Sequence, residues 1–382
     1  MIKNVILAFL LLIFSLSSFS QKTVFGGMVI EDFDSLTFST KETILKYDSI
    51  FKSNEADSSK ISTLGELLYM IAIKELQTKI SHHGIEFVKK RLIHQKTDKE
   101  RLVLKSWQNF FQVNIAADFF NTSDFPESIE WFSKALKLAR EINDSSYLAT
   151  IYKFIGDIYV SQGDYQTASK SYFLALEIAK AANIDNMTGD IYTSLCLMHH
   201  DNDSLDKAVF YEKQAFNHNL TTVYIDKIVA SCNRLGELFL KKDNKDSAFF
   251  YFTKSIEYSE SDAVTNEVMR HHIRYMKNNS KLGLLRLSNN LVEQEKACKE
   301  VLVEAEKLGL SENIAVALEF LYKVNVKLGN YKEALEYRNR EIEVRDKINE
   351  EKNIRSVSDL KANLKYESQI ELNKEKNESL AK

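Results

Sequence analysis

Residues 149–180 read ATIYKFIGDIYVSQGDYQTASKSYFLALEIAK. Two apolar stripes with helical period flank a turn at Gly163-Asp164, so the segment is a helical hairpin. Small residues stand at Gly156, Ala168 and Ala175, and rings at Tyr152, Tyr159, Tyr165 and Tyr172. The pattern recurs in steps of forty. The first small position reads Ala116, Gly156, Cys196, Gly236. The second reads Ser128, Ala168, Ala208, Ala248, and the third Ala135, Ala175, Ala215, Ser255. Before the first small position stand Ile115, Ile155, Leu195 and Leu235, and between the helices Phe119, Tyr159, His199 and Phe239. A two-helix hairpin cannot bury its apolar faces alone, so successive units must stack. Close helix crossings admit only small side chains, and rings fill the remaining volume.

Composition agrees. The chain has 382 residues with only one Pro and 11 Gly, too few turn residues for a sheet-dominated protein of this length. The one proline, Pro126, falls in the first turn of a second helix after Asp124, where a missing N–H costs little. A formal net charge of −3 makes no electrostatic case for nucleic acid or an acidic membrane as partner. The array is worn at both ends. Ile85, Val88 and Leu92 keep register one step before Phe125, Ser128 and Phe132, which predicts a degenerate preceding unit. Stepping back from Ala334 places Gln294, with Leu291, Cys298 and Val301, in a second-helix core six residues out of step. An extra half-turn or loop is therefore expected between about Ser259 and His272.

The hairpin resembles the tetratricopeptide repeat family, through Tyr152, Ile155-Gly156, Tyr159, Ala168, Tyr172 and Ala175 and, in the last unit, Gly329-Asn330-Tyr331 and Ala334. The family repeat is usually 34 residues, and its closing proline is absent here. The resemblance implies an all-α fold, a right-handed α-solenoid of stacked antiparallel helix pairs over residues 69–348, with about six units, clearest over 109–268. It implies binding of proteins or peptides, and no catalysis.

The termini read differently. Lys3, the apolar run Val5 to Leu16 and Ser18-Phe19-Ser20 have the order of a secretory signal peptide over residues 1–20, with Gln21 as the new N-terminus. A periplasmic location is expected, with no membrane span after Ser20. Residues 21–68 are expected to form an N-terminal helical cap, partly irregular, with a helix over Thr43 to Phe51. Residues 331–382 carry twelve basic and twelve acidic residues, with apolar positions at Ile342, Ile348, Val357, Leu360 and Leu364. That is a long charged helix with a weak seam, so 349–382 can act as a linker or pair with a second copy as a dimer. The run Leu360 to Leu380 resembles the linker that follows exported tetratricopeptide arrays in bacterial envelope receptors with histidine kinase or helix-turn-helix outputs. The resemblance implies the sensory part of a signalling system, and a free periplasmic scaffold or assembly factor is the alternative.

No phosphate-binding glycine loop, GxSxG, HExxH or CxxC motif occurs. The pairs His82-His83, His199-His200 and His271-His272 are neighbours in sequence, which is poor metal geometry on a helix, and each is expected in or near a turn. No catalytic residue, metal or cofactor is therefore expected. Cys196, Cys232 and Cys298 read as buried small hydrophobes. A Cys196–Cys232 disulfide is the alternative, since their columns belong to adjacent first helices. His199 and Glu212 replace the aromatic pairs Phe119/Phe132, Tyr159/Tyr172 and Phe239/Phe252. Either the two face each other and the carboxylate favours a charged imidazole, or a one-residue slip packs Tyr211 inward and leaves Glu212 in water. Arrays of this kind bind extended segments on the face of their first helices. Here that face should present Lys153, Asp157, Val160, Thr193, Leu197, Asn233, Arg234 and Glu237. The family's carboxylate clamp is not expected, because Asp157 stands where the clamp needs Asn.

Overall fold

The computed structural model describes residues 22–25, 28–31, 60, 74–93, 97–261 and 267–350. The signal-peptide segment, the helix expected over Thr43 to Phe51, and the terminal run beyond 350 lie outside them. The chain divides into two compact units, Met1–Tyr147 and Leu148–Lys382.

The first unit opens with an antiparallel hairpin of β1 (Lys22–Phe25) and β2 (Met28–Glu31), with Phe25 opposite Met28. A partly irregular helical cap was expected there. The intervening pair Gly26-Gly27 is the composition that two-residue hairpin connections favour. Among the described residues the helices α1 (Lys74–Leu92), α2 (Asp98–Asn121) and α3 (Phe125–Glu141) follow. Ile85 and Val88 are buried in α1, as the preceding degenerate unit requires. Gly84 lies so close to the ring of Phe111 that an added Cβ would come within 2.5 Å of it. Pro126 occupies the first turn of α3, after Asp124. Ser128 spends its hydroxyl on the carbonyl of Ala116 at 2.8 Å, so a polar residue fits a fully buried small position.

The second unit holds α4 (Ser145–Ser161), α5 (Tyr165–Ala181), α6 (Asp185–Asp201), α7 (Leu205–Thr222), α8 (Ile225–Lys241), α9 (Lys245–Ser259), α10 (Glu267–Leu287), α11 (Leu291–Leu308) and α12 (Ser311–Leu328), then a helix over 331–350. The forty-residue columns are its core. Ala168, Ala175, Cys196, Ala208, Ala215, Ala248 and Ser255 are all fully buried. Glycine marks the closest approaches: a Cβ at Gly156 would fall 2.5 Å from the Tyr172 ring, and one at Gly236 2.5 Å from Phe252. Gly283 of α10 presses on the same Phe252 ring. The step from Gly236 to Gly283 exceeds forty, so the extra residues fall between α9 and the body of α10, where the sequence places them. Gln294, Cys298 and Val301 are buried in α11, also as expected.

The regularity is finer than forty. From α2 to α8 a residue with left-handed backbone follows each helix at twenty-residue intervals: Ser123 (φ 63°), Asn143 (54°), Gly163 (78°), Asn183 (53°), Asp203 (51°), Val223 (58°) and Asp243 (54°). Gly309 (65°) and Gly329 (80°) keep the same interval after the insertion. The next amide then donates back to the carbonyl five residues earlier, as from Asp164 to Tyr159 (2.9 Å) and Asn244 to Phe239 (2.9 Å). This satisfies orphan carbonyls at the C-termini of those helices. Gly, Asn and Asp adopt that conformation at low cost, and Val does not.

Candidate functional site

The first helices of the second unit carry all eight residues selected from the sequence: Lys153, Asp157 and Val160 on α4, Thr193 and Leu197 on α6, and Asn233, Arg234 and Glu237 on α8. Most are already engaged. Lys153 Nζ lies 2.7 Å from Asp157 Oδ2, one helical turn away. Asp157 Oδ1 accepts from the Tyr172 hydroxyl at 2.7 Å. Burial first, and the Asp157 carboxylate second, hold that hydroxyl far above the ordinary phenol range, so Tyr172 is a fixed donor. Asn233 is buried and donates to Ser280 Oγ at 2.9 Å. Glu237 accepts two bonds from Arg286, at 3.0 and 2.9 Å. Leu197 stands 45% exposed in the middle of the set. The face is thus mostly self-neutralised, with an apolar residue at its centre.

The slip that packs Tyr211 inward is present, but Glu212 is neither in water nor opposite His199. Glu212 is fully buried, and its partner is Arg234 of the next first helix, Nε to Oε2 at 2.8 Å. His199 stacks on Tyr211, with centroids 5.2 Å apart and planes 3° from parallel. Phe239 and Tyr251 repeat that stack one unit later, at 5.5 Å and 4°. The facing ring of this column is therefore residue 211 or 251, not 212 or 252. Burial, and then Lys207, lower the His199 pKa, so the imidazole is neutral, not charged.

The thiols Cys196, Cys232 and Cys298 are buried and free, and no disulfide joins Cys196 to Cys232. Burial and then the Glu212 carboxylate push the Cys232 thiol up to about 12, and burial alone does the same at Cys298. Cys196 is raised for the same two reasons. Thiols held protonated are poor nucleophiles. His82-His83 sits inside α1, not at a turn, whereas His199-His200 closes α6. Among the described residues no group of three His, Cys, Asp or Glu side chains could hold a metal ion, and no helix is long and apolar enough to cross a membrane.

One feature of the second unit was not selected from the sequence. A recess of about 360 Å³ opens where α5, α6 and α7 end or begin, lined by polar side chains that include Lys180, Tyr192, Gln214 and His218. Tyr192 stands forty residues after Tyr152, but Lys180, Gln214 and His218 belong to none of the columns read from the sequence.

Comparison with known proteins supports the fold. Tetratricopeptide repeat models match residues 109–181 and 229–262. No curated protein matches the chain by sequence. The apo form of the quorum sensor NprR from B. thuringiensis superposes with a TM-score of 0.53 at 13% identity, over 81% of this chain and 88% of that one. The apo form of RapI gives 0.49 at 15% identity, over 82% and 100%. A signal transduction ATPase with numerous domains from Pyrococcus horikoshii, which carries a tetratricopeptide repeat sensor, gives 0.49 at 12% identity, over 81% and 47%. At such identities the likeness is one of fold, and the NprR superposition is the one that carries weight. The forty-residue columns are buried as read, and residues 109–181 and 229–262 are similar to the tetratricopeptide repeat.

Proposed function

We propose that the second unit binds an extended peptide or protein segment along the face made by α4, α6 and α8, as the sensing part of an exported bacterial signalling system. The observation that carries this reading is the face itself. Leu197 of the middle first helix stands exposed, and polar side chains of the other two are already held in place: Asp157 by Lys153 and Tyr172, Asn233 by Ser280, and Glu237 by Arg286. Pre-ordered polar groups around an apolar contact lose little freedom on binding. The fold is one that the quorum sensor NprR also uses. Export rests on residues 1–20 and their signal-peptide order.

Two experiments test the reading. The full mature chain is probed against an array of capped random decapeptides. A retained subset that Leu197→Arg releases, with helix content unchanged, supports it. No retained peptide, or retention indifferent to Leu197→Arg, refutes it. Fusing residues 1–20 to an alkaline phosphatase that is active only outside the cytoplasm tests export, and a silent reporter refutes that part.

A further inference from the structure

Charge is unevenly placed in the first unit. Residues 89–105 hold seven basic and two acidic side chains, a local charge of +5 in a chain of −3. The net charge gives the molecule as a whole no case for an acidic surface as partner, but this segment makes one of its own. It runs from the last turn of α1 into the first turns of α2.

The start of α2 extends beyond the repeat. α2 has 24 residues, where α4, α6 and α8 have 17. All four end two residues before a left-handed turn residue, so the two extra turns of α2 lie at its N-terminus. Lys105 Nζ lies 2.5 Å from Glu141 Oε1, which brings the end of α3 level with the second turn of α2. Residues 98–103 are all exposed, and Leu104 is the first buried one.

Aliphatic and basic side chains share this tip. Leu102 is 50% exposed, with Lys99 and Lys105 three residues to either side. Val103 is 42% exposed and lies one turn from Lys99. Ile93, just after α1, is 77% exposed and follows Lys89 and Lys90 by one turn. Single exposed aliphatics are ordinary, but three at one tip, each beside lysines, form a surface. Its cations are available. Among the described residues the side chains of Lys90, Lys99 and Arg101 make no hydrogen bond or ion pair. The nearby acids are occupied. Glu86 pairs with Lys89 at 2.9 Å, and Glu141 with Lys105. The Thr97 hydroxyl donates to Glu100 Oε2 at 2.7 Å and accepts from the Glu100 N–H at 3.2 Å, a capping box. Asp98 stands in the first turn of α2, where a carboxylate complements the helix dipole.

We propose that this tip docks on a bilayer surface that carries acidic lipid headgroups. Lys90, Lys99 and Arg101 meet the headgroups, and Ile93, Leu102 and Val103 enter the boundary of the acyl layer. Charge complementarity selects the acidic surface. The aliphatics select a bilayer over a soluble polyanion, which offers them no apolar phase. One weak signal gives only marginal attachment, and the tip supplies two. The surface belongs to the first unit and is independent of the peptide-binding reading of the second.

The test uses the chain without residues 1–20, so that the apolar run Val5 to Leu16 cannot itself bind. It is sedimented with vesicles of phosphatidylcholine, alone or with about a third phosphatidylglycerol. The acidic vesicles should bind roughly tenfold better or more, and less at high salt. A basic residue at such a surface is worth about fivefold, so Lys90→Gln, Lys99→Gln and Arg101→Gln together should weaken binding on the order of a hundredfold. Leu102→Ser with Val103→Ser should weaken vesicle binding several-fold and leave binding to heparin unchanged. These side chains are exposed, so an unchanged thermal transition is the control for fold. A solvent-sensitive dye on Leu102→Cys should shift to the blue on acidic vesicles and not on heparin, since the native thiols are buried. No preference for acidic vesicles, or binding that the three Gln changes leave intact, overturns the proposal. A dye that stays in water on the vesicles, with the two Ser changes without effect, makes the tip a polyanion site and overturns the bilayer as its occupant.

Discussion

Val223 is the residue to change first. It holds φ +58° at a position where its counterparts are Ser, Asn, Gly and Asp. A left-handed conformation costs an L-residue roughly 1–2 kcal/mol, and Val has no polar side chain to offset it. Asn visits this region more readily. Val223 is 66% exposed, so about a third of its side chain is buried. Losing that contact costs roughly 0.5–1 kcal/mol, from about 1.5–3 kcal/mol for a fully buried apolar side chain. Val223→Asn should therefore gain about 0.5–1 kcal/mol net. In a unit of this size that raises Tm by roughly 1–4 °C. The reciprocal change, Asn183→Val, places the same strain at a matched turn (φ 53°) and should lower Tm by a similar amount. Thermal unfolding by circular dichroism measures both. Amide exchange at Tyr224, whose N–H closes the turn on Asn219 O at 3.3 Å, reports the local effect. Val223→Asn that fails to stabilise, together with a harmless Asn183→Val, would show that the turns do not set the cost and would refute the reasoning.

Other outcomes follow from packing and titration. Gly236→Ala drives a methyl toward the Phe252 ring, where a Cβ would lie at 2.5 Å, and should cost roughly 1–3 kcal/mol by overpacking, read as a lower urea midpoint. Arg234→Ala leaves Glu212 charged and unpaired in the interior and should cost about 3–5 kcal/mol, with Glu212→Gln in the same chain recovering most of it. Glu212→Phe should crowd Cys196, while Cys196→Gly with Glu212→Phe rebuilds the glycine-on-ring contact of Gly236 and Phe252. A double-mutant cycle should then show a favourable coupling of about 1 kcal/mol or more. Burial lowers the His82 pKa from 6.5 to about 4, so the folded first unit binds fewer protons than the unfolded chain between those values. Its stability should be whole above pH 6.5 and fall progressively toward pH 4, by about 3 kcal/mol in all, and His82→Phe should flatten that fall. His82 packs edge-on to Trp131 at 5.2 Å, and both tryptophans, Trp107 and Trp131, lie before residue 147, so tryptophan fluorescence follows this unit alone.

The repeat was legible because a helix crossing leaves its mark on single positions. Ala168, Cys196 and Ala248 are small for the same geometric reason, and stepping by forty finds them without knowing any contact. The twenty-residue turn was equally written, as Asn143, Gly163, Asn183, Asp203 and Asp243, but Val223 breaks its composition and hides the period. The hairpin of β1 and β2 carried its own signal, Gly26-Gly27 between KTVF and MVIE, in a segment whose surroundings read as helical. Glu212 was visible as an exception in an aromatic column. Its partner was not, because Arg234 comes from the next unit and a column compares equivalent positions rather than neighbours. The same limit hid Asn233 with Ser280 and Glu237 with Arg286, where the insertion before α10 shifts the register. The recess beside Tyr192 stayed hidden because Lys180, Gln214 and His218 belong to none of the forty-residue columns.

Two polar pairs of the second unit lie close together in the fold order. Glu212, Arg234, Asn233 and Ser280 lie on α7, α8 and α10, whereas the matching first-helix positions of α4 and α6 hold Ile151, Ile191 and Leu195, although Thr188 and Ser194 of α6 are also buried. Ser231 and Asn278 replace the Ile151 and Ile191 column in α8 and α10, and Asn278 is fully buried. Apolar packing is non-directional and tolerates sliding, whereas a buried hydrogen bond has one correct geometry. A seam built from Asn233–Ser280 and Glu212–Arg234 therefore fixes the register of α8 against its neighbours more sharply than methyl groups would. The cost is stability, since each buried polar group must recover its lost hydration. That exchange is useful where helix position matters more than strength. On α8 the same turn that carries Asn233 also carries Arg234, so the contact to Ser280 holds in place the backbone from which the guanidinium is presented.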